Sequence, residues 1–141
     1  MATLNVEIVA PEAALWTGPA NALVARSSEG FFTVLAQHTA MVGDLVSSVV
    51  RVETNEGEIA FAVHSGFFQV SPGLEPETTF ATVLASVAER TTEIDVARAQ
   101  AAKERAQNEL AAAQKADDED AERLAAGALE RAELRLLAAG K

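Results

Sequence analysis

Cysteine is missing from all 141 residues, which excludes disulfides, thiolate metal sites and a Cys nucleophile. Basic side chains are scarce: 11 Lys and Arg stand against 21 Asp and Glu. The resulting net charge of −10 argues against unaided binding to nucleic acid or to anionic lipid. No apolar run approaches the roughly 18 residues of a membrane span. No basic start leads into an apolar stretch of the secretory kind, so neither a signal peptide nor membrane insertion is expected. A Gly-rich phosphate loop, paired metal-ligand spacing and a nucleophile elbow are all lacking, so neither a bound metal nor catalysis is expected. What is present is apolar: 49% of the residues, enough for a packed core.

The chain changes character near Ala88. All seven aromatic residues and all four prolines precede that point. The 53 residues after it hold 16 alanines and nine of the eleven Lys and Arg residues. Two domains are expected, over residues 1–88 and 89–141.

In the first, Leu4, Val6 and Ile8 alternate with Asn5, Glu7 and Val9, the pattern of a half-buried strand that Pro11 ends. Gly18-Pro19 reads as a turn, Ala20 to Ser27 as a strand, and Ser28-Glu29-Gly30 as a turn into the apolar run Phe31 to Leu35. Val46 to Glu53 and the alternating Ile59, Phe61 and Val63 flank Asn55-Glu56-Gly57, a predicted hairpin. Ser65-Gly66, Pro72-Gly73 and Pro76 separate Phe67 to Val70 from a last strand, Phe80 to Val87. Many short strands with Gly and Pro between them imply an antiparallel β-sandwich or barrel. The only longer connection, Ala36 to Leu45, holds His38. A hydrogen bond organising that loop is the bland role for His38, and contact with a partner the sharper one. His64 reads as a strand-end structural residue.

In the second domain, Thr92 is the expected N-cap, with Asp95 completing a capping-box pattern. Helix runs to about Lys115, the acidic run Asp117 to Asp120 breaks it, and a second helix runs from about Glu119 to Ala138. The short connection makes the pair antiparallel. Its facing seams are small: Ala99, Ala102, Ala106, Leu110 and Ala113 on one helix, Ala121, Ala125, Ala128, Ala132 and Leu136 on the other. Such seams bury little area, so the hairpin should open at low cost. The fold class is thus α+β: an antiparallel sandwich followed by an α-helical hairpin.

Antiparallel helices set the start of the first beside the end of the second. Arg98, Arg105, Arg131 and Arg135 then approach one location, and clustered guanidinium groups form a natural phosphate site. The bland alternative pairs them with Glu89, Glu104, Glu130 and Glu133 in solvent, and spacing alone favours it.

The order of these pieces resembles the ε subunit family of bacterial F-type ATP synthases over the whole chain. The most specific stretch is Ala88-Glu89-Arg90, then Ile94-Asp95-Val96-Ala97-Arg98-Ala99, then Ala101-Ala102-Lys103-Glu104-Arg105-Ala106. Leu4 to Glu12 is similar to the family's opening strand, and Ser28-Glu29-Gly30 through His38 to its loop motif. In that motif Gln37 stands where the family has Gly and Ala40 where it has Pro; Ser65 replaces the first glycine of a Gly-Gly-Phe segment.

The resemblance implies a non-catalytic subunit of the central stalk of a proton-translocating enzyme, peripheral on the cytoplasmic face of the cell membrane. It implies a sandwich joining the γ subunit to the c-ring. The hairpin is expected either to fold back or to extend into the α/β catalytic head and inhibit ATP hydrolysis. No cofactor is required, and ATP is the expected regulatory ligand. Its binding positions by resemblance are Glu89, Ile94, Asp95, Arg98, Ala99, Arg105, Arg131 and Arg135, while His38 and Arg123 are expected to meet partner subunits. The rival readings are a rotor adaptor whose hairpin never inhibits and a free nucleotide-binding sensor.

Overall fold

A computed structural model of the chain describes residues 2–140; Met1 and Lys141, at the outer ends of the two expected domains, lie outside the described residues. The chain forms two compact units, one through Arg90 and one from Thr91 onward.

The first unit holds ten strands: β1 (Thr3–Ala10), β2 (Ala13–Ala20), β3 (Ala22–Ser27), β4 (Gly30–Val34), β5 (Met41–Leu45), β6 (Ser48–Thr54), β7 (Gly57–Val63), β8 (Gly66–Pro72), β9 (Thr78–Ala85) and β10 (Ala88–Arg90). They make two five-stranded sheets, ordered β2-β1-β9-β8-β5 and β10-β7-β6-β3-β4. The alternation in β1 sends Leu4, Val6 and Ile8 into the space between the sheets. There they join Leu23, Val34, Val50, Val52, Phe61, Val63, Phe68, Val70 and Val83 in one core.

The sandwich is as expected from the strand pattern, with one exception to its antiparallel pairing: β1 runs parallel to β9, with Leu4 opposite Thr79 and Val9 opposite Leu84. Alternation shows that a strand is half-buried; it carries nothing about the direction of its neighbour.

Two strands stand where turns or loop were expected. Gly18-Pro19 lies inside β2, not at a turn. That strand is an edge and pairs only with β1, so the missing proline N–H interrupts no ladder on its open side. Likewise Met41 to Leu45, read as loop, forms β5 at the opposite edge against β8. Its Gly43 breaks the strand propensity, and the packing explains why it is there. A Cβ at Gly43 would lie 2.6 Å from the Phe68 ring, which also packs against Phe32 with ring centroids 4.4 Å apart.

At the start of β8, a Cβ at Gly66 would collide with the Leu84 carbonyl oxygen, so only glycine allows the β8–β9 approach. Ser65 before it takes φ +66, a left-handed conformation in the place of the family's first glycine. His64 is buried at the end of β7, where its amide donates to the Val87 carbonyl at 2.8 Å, in keeping with a strand-end structural role.

Strand register also lays out the outward face of the first sheet. Rows run Asn5–Phe80–Ser71, then Glu7–Thr82–Gln69–Val42, then Val9–Leu84–Phe67–Asp44. Val42, Phe67, Phe80 and Leu84 are large, apolar and exposed on it. Its charged members, Glu7 and Asp44, are both acidic. The sandwich's three basic residues, Arg26, Arg51 and Arg90, all belong to the second sheet, where Arg26 lies over Phe31 and Arg51 pairs with Glu58 at 3.6 Å.

The second unit is a 3₁₀ turn at Thr91–Glu93 followed by α1 (Val96–Lys115) and α2 (Glu119–Ala138). Asp118 caps α2 by accepting from the Ala121 amide at 3.1 Å, and Glu119, Asp120 and Glu122 place negative charge at its positive end. A groove of about 460 Å³ at the closed end is lined from α1 by Ala112, Ala113 and Ala116 and from α2 by Ala121, Leu124 and Ala125, which fixes the antiparallel arrangement. The buried residues of α1 are Ala99, Ala106 and Ala113, spaced by seven. Those of α2 are Ala125, Ala132, Leu134 and Leu136. The expected seams are thus present, with Ala102, Leu110, Ala121 and Ala128 only half-buried and Leu134 added.

Candidate functional site

The start of α1 organises the candidate site. Asp95, in extended conformation with φ −79 and ψ 99, is its N-cap, and its Oδ1 accepts from the Arg98 amide at 3.0 Å. Thr92 is therefore not the cap. It lies inside the 3₁₀ turn, and the helix begins only after Asp95, whose short carboxylate reaches the third helical amide without strain. Ala99 follows in the buried seam. The stretch Ile94-Asp95-x-x-Arg98-Ala99 thus caps the helix, projects a guanidinium and packs the seam within six residues of chain.

Arg98 and Arg105 are exposed on α1, Arg131 is exposed on α2, and Arg135 is half-buried on α2. Because the helices are antiparallel, the first turns of α1 lie beside the last turns of α2, and Arg98 and Arg135 share that open end. Among the described residues, Arg98, Arg105 and Arg131 make no ion pair, so the expected pairing with Glu104, Glu130 and Glu133 is not formed. The side chain of Arg131 folds back along α2: its Nη1 lies 3.3 Å from where a Cβ at Gly127 would stand. Sequence reasoning passed over Gly127; a glycine inside a helix is the signal that marks it.

Glu89 stands apart from the other seven positions. It lies in β10, opposite Ala62 of β7, with its carboxylate 4.0 Å from His64 Nε2, and so belongs to the sandwich unit. Arg123 pairs with Asp120 one turn earlier at 3.8 Å, and both are largely exposed, so the pair adds at most a few tenths of a kcal/mol. His38 is half-buried in the β4–β5 crossover, with Nδ1 2.7 Å from the Thr39 carbonyl.

Gln37 takes φ +70, the conformation that the family's glycine adopts freely. Its amide donates to Thr79 Oγ1 at 2.7 Å, a contact between residues 42 apart in sequence that no local pattern announces. No group of three or more Asp, Glu or His able to hold a metal occurs among the described residues, and no helix there is long and apolar enough to cross a membrane.

This chain matches the ATP synthase, Delta/Epsilon chain, beta-sandwich domain over residues 3–91 and the corresponding long alpha-helix domain over residues 92–140. It is 33% identical over 138 residues to the ATP synthase epsilon chain of a Cyanothece species, covering 98% of this chain and 96% of that one. With the epsilon chain of Streptomyces griseus it shares 38% over 119 residues, 83% of this chain and 91% of that one. The fold is also that of a chain in the Euglena gracilis mitochondrial ATP synthase, solved with OSCP, F1 and c-ring: the TM-score is 0.81 at 24% identity, over 100% of this chain and 83% of that one. With both of its units matched in order and along nearly its whole length, the chain belongs to the delta/epsilon chain family of ATP synthase subunits, which are not the catalytic chains.

Proposed function

We propose that the chain is a central-stalk rotor subunit of a proton-translocating F-type ATP synthase, attached through its sandwich and regulating ATP hydrolysis through its hairpin. The outward face of the first sheet is the docking surface for the γ subunit: its apolar row Val9–Leu84–Phe67 is edged by the carboxylates of Glu7 and Asp44, which suits an apolar partner surface with basic flanks. The c-ring and, in the extended state, the α/β catalytic head are the other partners. The complex holds the chain peripherally on the cytoplasmic face of the cell membrane.

The observation that carries the regulatory reading is the seam of α1, which buries alanine and nothing larger. A contact so poor in apolar area separates at low free energy, while alanine keeps each helix formed once apart. ATP is the ligand that closes the hairpin, held by Arg98, Arg105, Arg131 and Arg135 with the Ile94–Ala99 turn. A ligand that binds only the closed form stabilises it by mass action, so rising ATP favours the uninhibited state. Basic residues of α2, Arg123 among them, meet acidic surfaces of the head when the hairpin extends.

Removing residues 91–141 in the assembled enzyme is expected to raise ATP hydrolysis several-fold; an unchanged rate leaves a rotor adaptor without inhibition. Calorimetric titration of ATP into the full chain is expected to show one saturable site that Arg98→Ala abolishes. Absence of heat up to millimolar ATP would remove the ligand from this account and leave the rotor role intact. Failure to co-purify with membrane-bound ATPase would instead point to a free nucleotide sensor.

A further inference from the structure

β10 is the last strand of the sandwich, and Thr91, where the second unit begins, follows it directly. Its residues pair with β7 and with no other strand: Ala88 opposite Val63, Glu89 opposite Ala62 and Arg90 opposite Phe61. One more rung closes its start, where the His64 amide donates to the Val87 carbonyl at 2.8 Å. So short a pairing at a sheet edge opens at low cost.

Ala62 and His64 stand two apart, so alternation turns both to one face of the sheet, and Glu89, opposite Ala62, belongs to that face. Long side chains reach along such a diagonal. Here Glu89 Oε1 stands 4.0 Å from His64 Nε2, with the His64 side chain 6% exposed and that of Glu89 27%. The other charged residues of the adjoining strands stand farther along. Arg51 and Glu53 of β6 lie opposite Ala60 and Glu58, four and six residues before His64. Arg90 lies opposite Phe61, three residues before it. β8, β9 and the link Ser86-Val87 carry no charged residue, and the hydroxyls of Ser65 and Ser86, 3.4 Å apart, are neutral.

An imidazole is the side chain that takes up a proton near neutral pH, and the charged ring then has a proton on each nitrogen. In a buried position that charge is tolerated only beside a counter-charge. We infer that His64 and Glu89 form a proton-operated clasp: when the ring takes up a proton from solvent, it pairs with the Glu89 carboxylate and holds β10 to β7 at the root of the hairpin. The carboxylate favours the charged ring only while β10 is seated. Its hold is therefore complete below the titration of His64 and is lost as pH rises through it. The clasp lies wholly within the sandwich and does not depend on the ATP reading of the hairpin.

The test uses the full chain and Glu89→Gln, which keeps the size of the side chain and removes its charge. The His64 ring is titrated by NMR from about pH 8 to about pH 5, its signals told from those of His38 with His38→Ala. Glu89→Gln is expected to lower the His64 midpoint by about one pH unit or more. The second readout is hydrogen exchange of the backbone amide at position 64, compared at each pH with the rate of an unstructured amide. In the wild type its protection should rise about tenfold for each unit of midpoint shift as pH falls across the titration. In Glu89→Gln that rise should vanish. His64→Gln, which removes the titrating ring instead of its partner, should abolish the rise in the same way.

A His64 midpoint unmoved by Glu89→Gln overturns the inference, as does a ring that stays neutral throughout the range. A shifted midpoint with protection that does not follow pH also overturns it, since the pair would then form without holding the strand. Should Glu89→Gln unseat β10 at every pH, an undiminished rise in His64→Gln would overturn the clasp and its loss would uphold it.

Discussion

The two units bury different things. Between the sheets lie Phe61, Phe68, Leu4, Ile8, Leu23 and seven valines, none more than 2% exposed. In the hairpin, α1 buries three alanines, and α2 two alanines with Leu134 and Leu136. Burying a methylene contributes about 0.8 kcal/mol, so each large sandwich side chain outweighs an alanine of the seam severalfold. Helical order in the second unit comes from propensity and caps; order in the first comes from packing. One chain thus joins a unit packed by large side chains to a unit packed mostly by alanines, and the distinction is set by side-chain size more than by secondary structure.

Substitutions that exchange these characters test the contrast. Trp16, the only tryptophan, reports on the sandwich by fluorescence, and far-UV circular dichroism at helical wavelengths reports on the hairpin. The largest effect is expected from Phe68→Ala, which empties the space between Gly43 and Phe32 and should remove about 3–5 kcal/mol from the fluorescence transition in urea. Next comes Ala106→Leu. Overfilling a seam position only 2% exposed should cost about 1–3 kcal/mol and lower the helical transition alone. Asp95→Ala, which deprives the Arg98 amide of its acceptor, should cost about 1 kcal/mol, again in the helical transition. The smallest runs the other way. Gly127→Ala should stabilise α2 by about 0.5–1 kcal/mol, because the new methyl meets only the mobile end of Arg131. If Phe68→Ala and Ala106→Leu moved both probes together, the two units would be one cooperative body and the contrast would fail.

Much of this was legible in the residues. Period-two alternation located β1 and β7, a β-branched apolar run located β6, and alanines at three- and four-residue steps located both helices and the seam between them. The edge strands of the first sheet escaped, because β2 contains Gly18-Pro19 and β5 contains Gly43-Asp44, residues that an outer strand tolerates and a central one does not. The N-cap moved from Thr92 to Asp95 because both residue types cap well and only the intervening 3₁₀ turn decides between them. The arginines of the hairpin were apparent from spacing and resemblance. Their lack of carboxylate partners at Arg98, Arg105 and Arg131 was not, since it depends on which rotamers the helix surface permits. Least visible was Thr79, a strand residue of ordinary pattern whose partner lies 42 positions away.

The parallel pairing of β1 with β9 bears on how the chain is made. Residues opposed in that ladder, such as Thr3 and Thr78, are about as far apart in sequence as the sandwich allows. On the ribosome β1 and β2 emerge early and can pair, but the inner side of β1 waits for β9, some 70 residues later. Until then its edge is open to unwanted strands, and closure of so long a loop makes this sheet the slow step of folding. The helices, whose contacts are local, form within microseconds of release. The hairpin is thus ready as soon as it is synthesised, and the sandwich sets the pace.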